Sequence, residues 1–553
     1  MIEEAFKVKV FDDEINISSG TTYDDLRKKY QNKYKLPVVI AKQNGSYHEL
    51  NDEIKSDGEI EFFDVLSSYG NRIYLNGLIY LTIYAIKELY GINKKVYVRY
   101  AIDYGLYIET SMQLTKEMLK EINKKMLETV ESDLPIVPVD VDRLEAIEYF
   151  KKVNEKDKAN MLKYNTNSYI KLYRLGNRYD YFFSFMVPRT GLLDRFKLHY
   201  IDENGFVLMY PDRYNKGVIN EYKHHAQRFE VFNDYKEWIN LMKIPDSAAL
   251  NKVVSQGEIG NLIRIDETLQ ANKLLNIAKD IYEHKNRIKV ILIAGPSSSG
   301  KTTTSLKLTN YLRSFGLNPL QISLDDYFVP RAKNPKKKDG SYDYECLEAL
   351  DLKLLNKNIA SLLDGKEIVA PVYNFIKGEP EYIKPMHLED NDILILEGIH
   401  GLNPKLLEEI PRNKQYKIYI SPMTGVNIDR HNRISTSDNR LLRRIIRDNR
   451  TRGYKVEDTM ASWENVRLGE EKYIFPYQDD ANVTYNTALI YELGILKTYA
   501  EPLLYNVDYK SEYYAEAKRL LNLLKTFLPI PSDDIPDDSI IREFIGGSCF
   551  KVN

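Results

Sequence analysis

Cysteine is nearly missing: the 553 residues include two, Cys346 and Cys549, so neither a disulfide framework nor a cysteine-built zinc site organises the fold. Net charge is nearly missing too. The 78 basic and 80 acidic side chains leave a formal charge of -2, which gives no whole-molecule field to draw the chain onto nucleic acid, so any RNA contact would have to be local. No apolar run approaches the roughly 20 residues that span a bilayer, and the start MIEEAFKVKV lacks the basic stretch and apolar core of a secretory signal. These absences predict a cytoplasmic protein without a membrane partner. What is plentiful is length. A single core stops growing at roughly 250–300 residues, so two to four domains are expected. The 43 tyrosines are read as compositional bias and carry no function.

Pattern divides the chain into five parts. Residues 1–66 read as a small mixed module, with alternation over Phe6 to Phe11 and Glu59 to Phe63, a helix over Tyr23 to Tyr30 and an apolar strand over Pro37 to Lys42. Residues 67–255 open on a long helix, about Asn76 to Tyr90, and continue as mixed α/β sequence. Residues 256–287 read as a helical connector, polar on one side. Residues 288–496 alternate strands with helices, which predicts a parallel sheet. Residues 497–553 are a helical extension carrying the acidic, turn-rich PIPSDDIPDDS.

The chemistry concentrates in the fourth part. Gly295-Pro-Ser-Ser-Ser-Gly300-Lys301-Thr302 follows the apolar run Val290 to Ala294 and precedes a helical stretch, the strand, glycine loop and helix order of a phosphate-binding loop. Its amides, from Gly295 and Ser297 through Ser298, Ser299, Gly300, Lys301, Thr302 and Thr303, would cradle the phosphates of ATP or GTP. Lys301 would reach the terminal phosphates and the Thr302 hydroxyl would bind Mg2+. A second strand, Leu320 to Leu324, ends in Asp325-Asp326, and a third, Asp392 to Leu396, ends in Glu397, so carboxylates stand at the ligand edge of the sheet. Alternation along a strand lets only one of the two aspartates face the phosphate. In SDNRLLRRIIRDNRTRG, Arg440, Arg443, Arg444 and Arg447 fall on one helix face. Such a stripe is ordinarily a solvated face. Four arginines without an interleaved acid repel one another, which predicts an anion-clamping lid.

At the front, GTTYDDL, VVIAKQNGSYHELNDEI and IEFFD resemble the TGS module, a ubiquitin-like fold found at the front of threonyl-tRNA synthetases. SSYGNRIYLNGLIYLTIYAIKEL, FMVPRTGLLDRFKLHY and HHAQRFEVFNDYKEWINLM resemble the second additional domain of those synthetases, which removes wrongly attached amino acids with paired His and Cys-plus-His motifs. Here the leading His pair has no counterpart, and Phe182 and Met186 stand where the second motif belongs. His224 and His225, adjacent in sequence, point about 100° apart on a helix and make poor joint ligands, so no zinc is expected.

GPSSSGKTT, ISLDDYF, YDYECLEALD, PVYNF, LILEGIHGL and DNRLLRRIIRD resemble, in order and spacing, the uridine kinases of the phosphoribulokinase superfamily. The resemblance implies Asp325 as the catalytic acid–base group, Glu345 as the ribose-binding acid, Tyr373 as the aromatic beside the base, Glu397 on the metal side and Arg440 as a nucleoside-contacting arginine. Where the family has a base-contacting His, this chain has Gly378.

The whole reads as a multidomain α/β protein: a P-loop kinase domain with a parallel sheet, behind a ubiquitin-like β-grasp module and an α+β synthetase-like domain. The expected activity is phosphorylation of the 5′-hydroxyl of a ribonucleoside of the uridine or cytidine type, with Asp325, Lys301, Arg443, Arg444 and Arg447 catalytic. Two alternatives stay open: another sugar or polyol as acceptor, and an RNA-binding nucleotide switch. Self-association also stays open.

Overall fold

The computed structural model describes residues 5–223, 226–337, 340 and 342–551; His224 and His225 lie outside these. The front module is a five-stranded mixed sheet in which Ala5–Val10 pairs antiparallel with Asp13–Ser18 and parallel with Gly58–Asp64, with the helix Tyr23–Tyr30 on one face. Thr22 caps that helix in a reciprocal capping box with Asp25. The strand Asp13–Ser18 is largely exposed and Ser46–His48 is three residues long, and neither left an alternation strong enough to predict.

Behind it, the helix Ser68–Tyr90 is apolar on most sides and is buried between a three-stranded and a four-stranded sheet. It begins eight residues earlier than the sequence pattern suggested, because Ser67 caps it through Gly70 N–H. Phe182 and Met186 are core residues of this second part.

The fourth part, residues 288–496, is built on a five-stranded, all-parallel sheet ordered Asn318–Ser323, Asp392–Glu397, Val290–Ala294, Gln415–Ser421, Val483–Asn486. Val290–Ala294 is buried on both faces, as the central strand of a covered parallel sheet should be. All carboxyl ends point to one edge, which gathers the phosphate loop, the 324–327 turn and Glu397.

Two expectations change. The segment 256–287, expected as a helical connector, forms the helix Ile259–Glu283, which packs on the helix Lys301–Ser314 and bonds the fourth part through buried polar residues, Asp266 accepting from Ile490 N–H (2.8 Å) and Glu267 from Tyr491 Oη (2.6 Å). One apolar cluster runs from Ala146 through this helix and the sheet to Ile545, so the second part and the phosphate-loop part share a core. Second, the strand before the aspartates ends at Ser323, and Leu324–Tyr327 is a 3-10 turn, so strand alternation does not separate Asp325 from Asp326. Among the described residues no helix is long and apolar enough to cross a membrane.

Candidate active site

The phosphate loop curls because two of its residues are left-handed, Ser298 at φ 58° and Gly300 at φ 88°. This turns successive N–H groups into one concavity. Gly295 admits no side chain, since a Cβ there would meet Ile420 O at 2.1 Å. Ser298 Oγ and Ser299 Oγ are buried without a hydrogen-bond partner, the mark of a polar cradle awaiting a ligand. Lys301 Nζ rests on the loop's own carbonyls, Gly295 O (3.1 Å) and Pro296 O (3.3 Å). Thr302 Oγ donates to Glu397 Oε1 (3.4 Å), which brings a hydroxyl and a carboxylate together.

Around this loop the sheet edge assembles three acids. Asp325 faces the cleft near Lys301; desolvation by the surrounding protein holds its carboxyl above the usual range, and Lys301 pulls in the other direction. Asp326 points elsewhere, accepting from Tyr373 N–H (3.2 Å). The parting of the two follows from the 3-10 turn, whose successive side chains diverge by about 120°. Glu345 feels Lys301, Arg444, Asp325 and Glu470, and burial, with Glu470 next, raises it to about 7. Burial likewise lifts Glu397 to about 7. Both raised values mean that these acids carry protons below about pH 7 and charge above it. The acid limb of kcat/KM is therefore expected near pH 7, turnover falling as pH drops; a limb near 4.5, the ordinary glutamate value, contradicts this.

Tyr373 closes one wall. It is buried, packs edge-on against Phe328 (5.7 Å) and Phe375 (5.1 Å), and its Oη has no partner. The following turn holds Gly378 at φ 75°, and a Cβ there would run into Arg331 at 2.9 Å. Arg331 fills that space, donating to Phe375 O (2.6 Å). Sequence reasoning noted the missing side chain at 378 and missed its replacement, which comes from 47 residues upstream.

The arginine helix, Thr436–Arg452, starts on the Ser435 cap and ends at Gly453 in the left-handed conformation. Its four arginines do not form a bare stripe, which corrects the sequence reading. Arg440 and Arg443 are fully buried. Arg440 makes a fork with Glu470 (2.8 and 2.6 Å) and Arg443 pairs with Glu492, so carboxylates from the following helices cancel the supposed repulsion. Arg440 thus ties helix Thr436–Arg452 to helix Val456–Tyr473 rather than facing the cleft. Arg443 reaches Ser298 O (3.4 Å) and braces the loop from behind. Arg444 donates to Ser297 Oγ (3.0 Å) and Asp448 (3.1 Å), which places it at the loop, and Arg447 donates to Asp448 (2.9 Å); both are half-buried.

Two further carboxylates hold loop groups that sequence reasoning assigned to phosphate. Glu470 accepts from Ser297 N–H (3.1 Å), and Glu543, from the C-terminal extension, accepts from Thr303 N–H (3.2 Å) and Thr303 Oγ (2.8 Å). Arg450 fixes the extension by donating to the Glu543 and Phe544 carbonyls (2.8 and 3.1 Å). An anion at the start of helix Lys301–Ser314 gains from the helix dipole, so a phosphate binding there competes with Glu543. Glu543→Gln is expected to lower the dissociation constant for ATP by about two- to tenfold in a binding titration, the range a helix-end charge commands. Unchanged or weaker binding contradicts the competition.

The family comparison fits this geometry. The Phosphoribulokinase / Uridine kinase family matches residues 290–488. The chain carries a kinase domain of that family. It is similar to "Uridine-cytidine kinase B" of Dictyostelium discoideum, 28% identical over 201 residues, 36% of this chain and 75% of that protein. It is also similar to "Threonine--tRNA ligase" of Aquifex aeolicus, 31% identical over 201 residues, 35% of this chain and 31% of that protein. Among solved structures, D-glycerate 3-kinase from Cryptococcus neoformans aligns with 38% of this chain and 89% of its own at 15% identity and a TM-score of 0.26.

Proposed function

We propose that the chain transfers the γ-phosphoryl group of ATP or GTP to the 5′-hydroxyl of a ribonucleoside of the uridine or cytidine type. The observation that carries this is the grouping of Asp325, Glu345, Glu397, Lys301 and Arg444 around one curled phosphate loop, beside an aromatic wall with the unpartnered Tyr373 Oη. A nucleotide switch needs the loop but has no use for the acid and the aromatic wall.

In this reading the loop amides receive the donor phosphates, and Lys301 leaves the Gly295 and Pro296 carbonyls for the terminal ones. Thr302 and Glu397 present the hard oxygen ligands that magnesium prefers, and the ion would neutralise charge on the donor phosphates. Glu345 and Tyr373 hold the acceptor, Tyr373 Oη offering a donor to it. Asp325 accepts the hydroxyl proton as the oxygen attacks phosphorus. Arg444 and Arg447 stabilise charge on the transferring group, while Arg443 and Arg440 act by position, bracing the loop and the helix. Little covalent work falls to the protein; arrangement and charge supply the rate.

Uridine and 5′-deoxyuridine distinguish the acceptor atom. Uridine is expected to yield a monophosphate detectable by phosphorus NMR, and 5′-deoxyuridine none. Equal phosphorylation of both would place the transfer on another hydroxyl. If a sugar or polyol is phosphorylated and no nucleoside is, the first alternative replaces this reading.

A further inference from the structure

We propose that a second ligand site, for a free nucleoside monophosphate, lies in the cavity where the front module, the second part and the C-terminal helix Tyr514–Leu524 meet. The cavity holds about 330 Å³, at the lower end of small-ligand sites, and no residue of the phosphate loop lines it. Its walls are aromatic. Tyr47 and Tyr69 stack at 4.3 Å and 11° on one side, and Tyr169, Tyr181 and Phe183 stand among the rings of the other. Flat walls of this kind take a planar ring by stacking.

Charge narrows the choice. No Asp or Glu lines the cavity, while four cations do. Lys171 is neutralised by Glu49 (2.8 Å), and Arg519 by Asp438 and Glu516 (2.6 and 2.7 Å). Lys518 and Lys525 are exposed at the rim and form no ion pair among the described residues. With Asn522 they fall at i, i+4 and i+7 and so share a helix face. A planar ring inside and two free ammonium groups at the rim describe a base with one phosphate. The cavity has no glycine loop, and beside its two free lysines only the first turn of the wall helix, at Tyr514 and Ala515, lines it, so one phosphate suits it better than three. Asn165 and Asn167 supply amide groups able to meet a base edge.

The site is also wired to the kinase part. Arg519, on the wall helix, makes a fork with Asp438 (3.0 and 2.6 Å) in the first turn of the arginine helix that carries Arg444. This inference does not depend on the kinase reading, because it rests on a different cavity.

Photo-crosslinking of the full chain with 5-azido-UMP and 8-azido-AMP tests it, with the labelled peptides identified by mass spectrometry. Label is expected in peptides from 161–185 or 514–526, displaced by unlabelled monophosphate and at least about tenfold less well by uridine or adenosine. The rim double variant Lys518→Glu/Lys525→Glu is expected to lose this label by a similar factor, while its circular dichroism and its turnover without added monophosphate stay as in the parent. Label confined to 288–496, a double variant labelled like the parent, or nucleoside competing as well as nucleotide would each overturn the proposal.

Discussion

Asp325→Asn is expected to lower acceptor-dependent turnover by about 10²–10⁴-fold, the range of a lost general base, and to leave ATP binding nearly intact. Asparagine keeps the shape and removes the proton acceptor. Asp325 is suited to the role because it faces Lys301 with its carboxyl above the usual range, which improves its match to a proton taken near neutral pH. Asp326→Asn is the matched control. Its carboxylate holds Tyr373 N–H, so its loss should loosen the aromatic wall and raise KM for the acceptor more than it lowers kcat. The reverse order of damage, with both variants folded, would exchange the two roles.

Lys158→Met is expected to destabilise the protein by about 3–5 kcal/mol, the range for breaking a buried ion cluster by removing one partner. Lys158, on the helix Lys156–Met161, is wholly buried and bonds Asp180 (3.1 Å) in the second part and Asp429 (2.7 Å) in the kinase part. Burial pushes the Asp180 carboxyl up, yet His431 (2.7 Å) and Lys158 overcome this and hold it far below the usual range. Arg430 of the kinase part adds a second tie to Asp157 (2.6 Å). Methionine matches lysine in volume and leaves two buried carboxylates short of a partner. Guanidinium unfolding measures the loss. A change below about 1 kcal/mol, the level of surface pairs, would show that the two parts are joined by apolar contact alone.

How far the sequence reached follows from the range of its signals. The phosphate loop was legible because strand, glycines, lysine and helix are contiguous, and local conformation fixes all of them. Helix Tyr23–Tyr30 and strand Val290–Ala294 were legible for the same reason. The arginine helix was legible as a helix, and the expectation of a bare anion-clamping stripe overlooked that two of its arginines are buried. Its periodicity is local, but its partners Glu470 and Glu492 lie 30 and 49 residues away, and a one-dimensional pattern does not show which face another helix covers. Glu543, some 240 residues from Thr303, and Arg331, filling the place of a side chain at 378, are long-range substitutions of one group for another. The segment 256–287 looked like a connector because it is polar on one side; in the fold two of its polar residues, Asp266 and Glu267, are buried and accept from Ile490 N–H and Tyr491 Oη of the kinase part.

The central claim is phosphoryl transfer to a nucleoside at the loop around Lys301. ADP release from ATP and Mg2+ across a panel of nucleosides, sugars and polyols, with Lys301→Ala as the control, tests it most directly. The account predicts release that requires a pyrimidine ribonucleoside and is lost in the folded Lys301→Ala variant. Release that is independent of any acceptor, or that persists in Lys301→Ala, would contradict it.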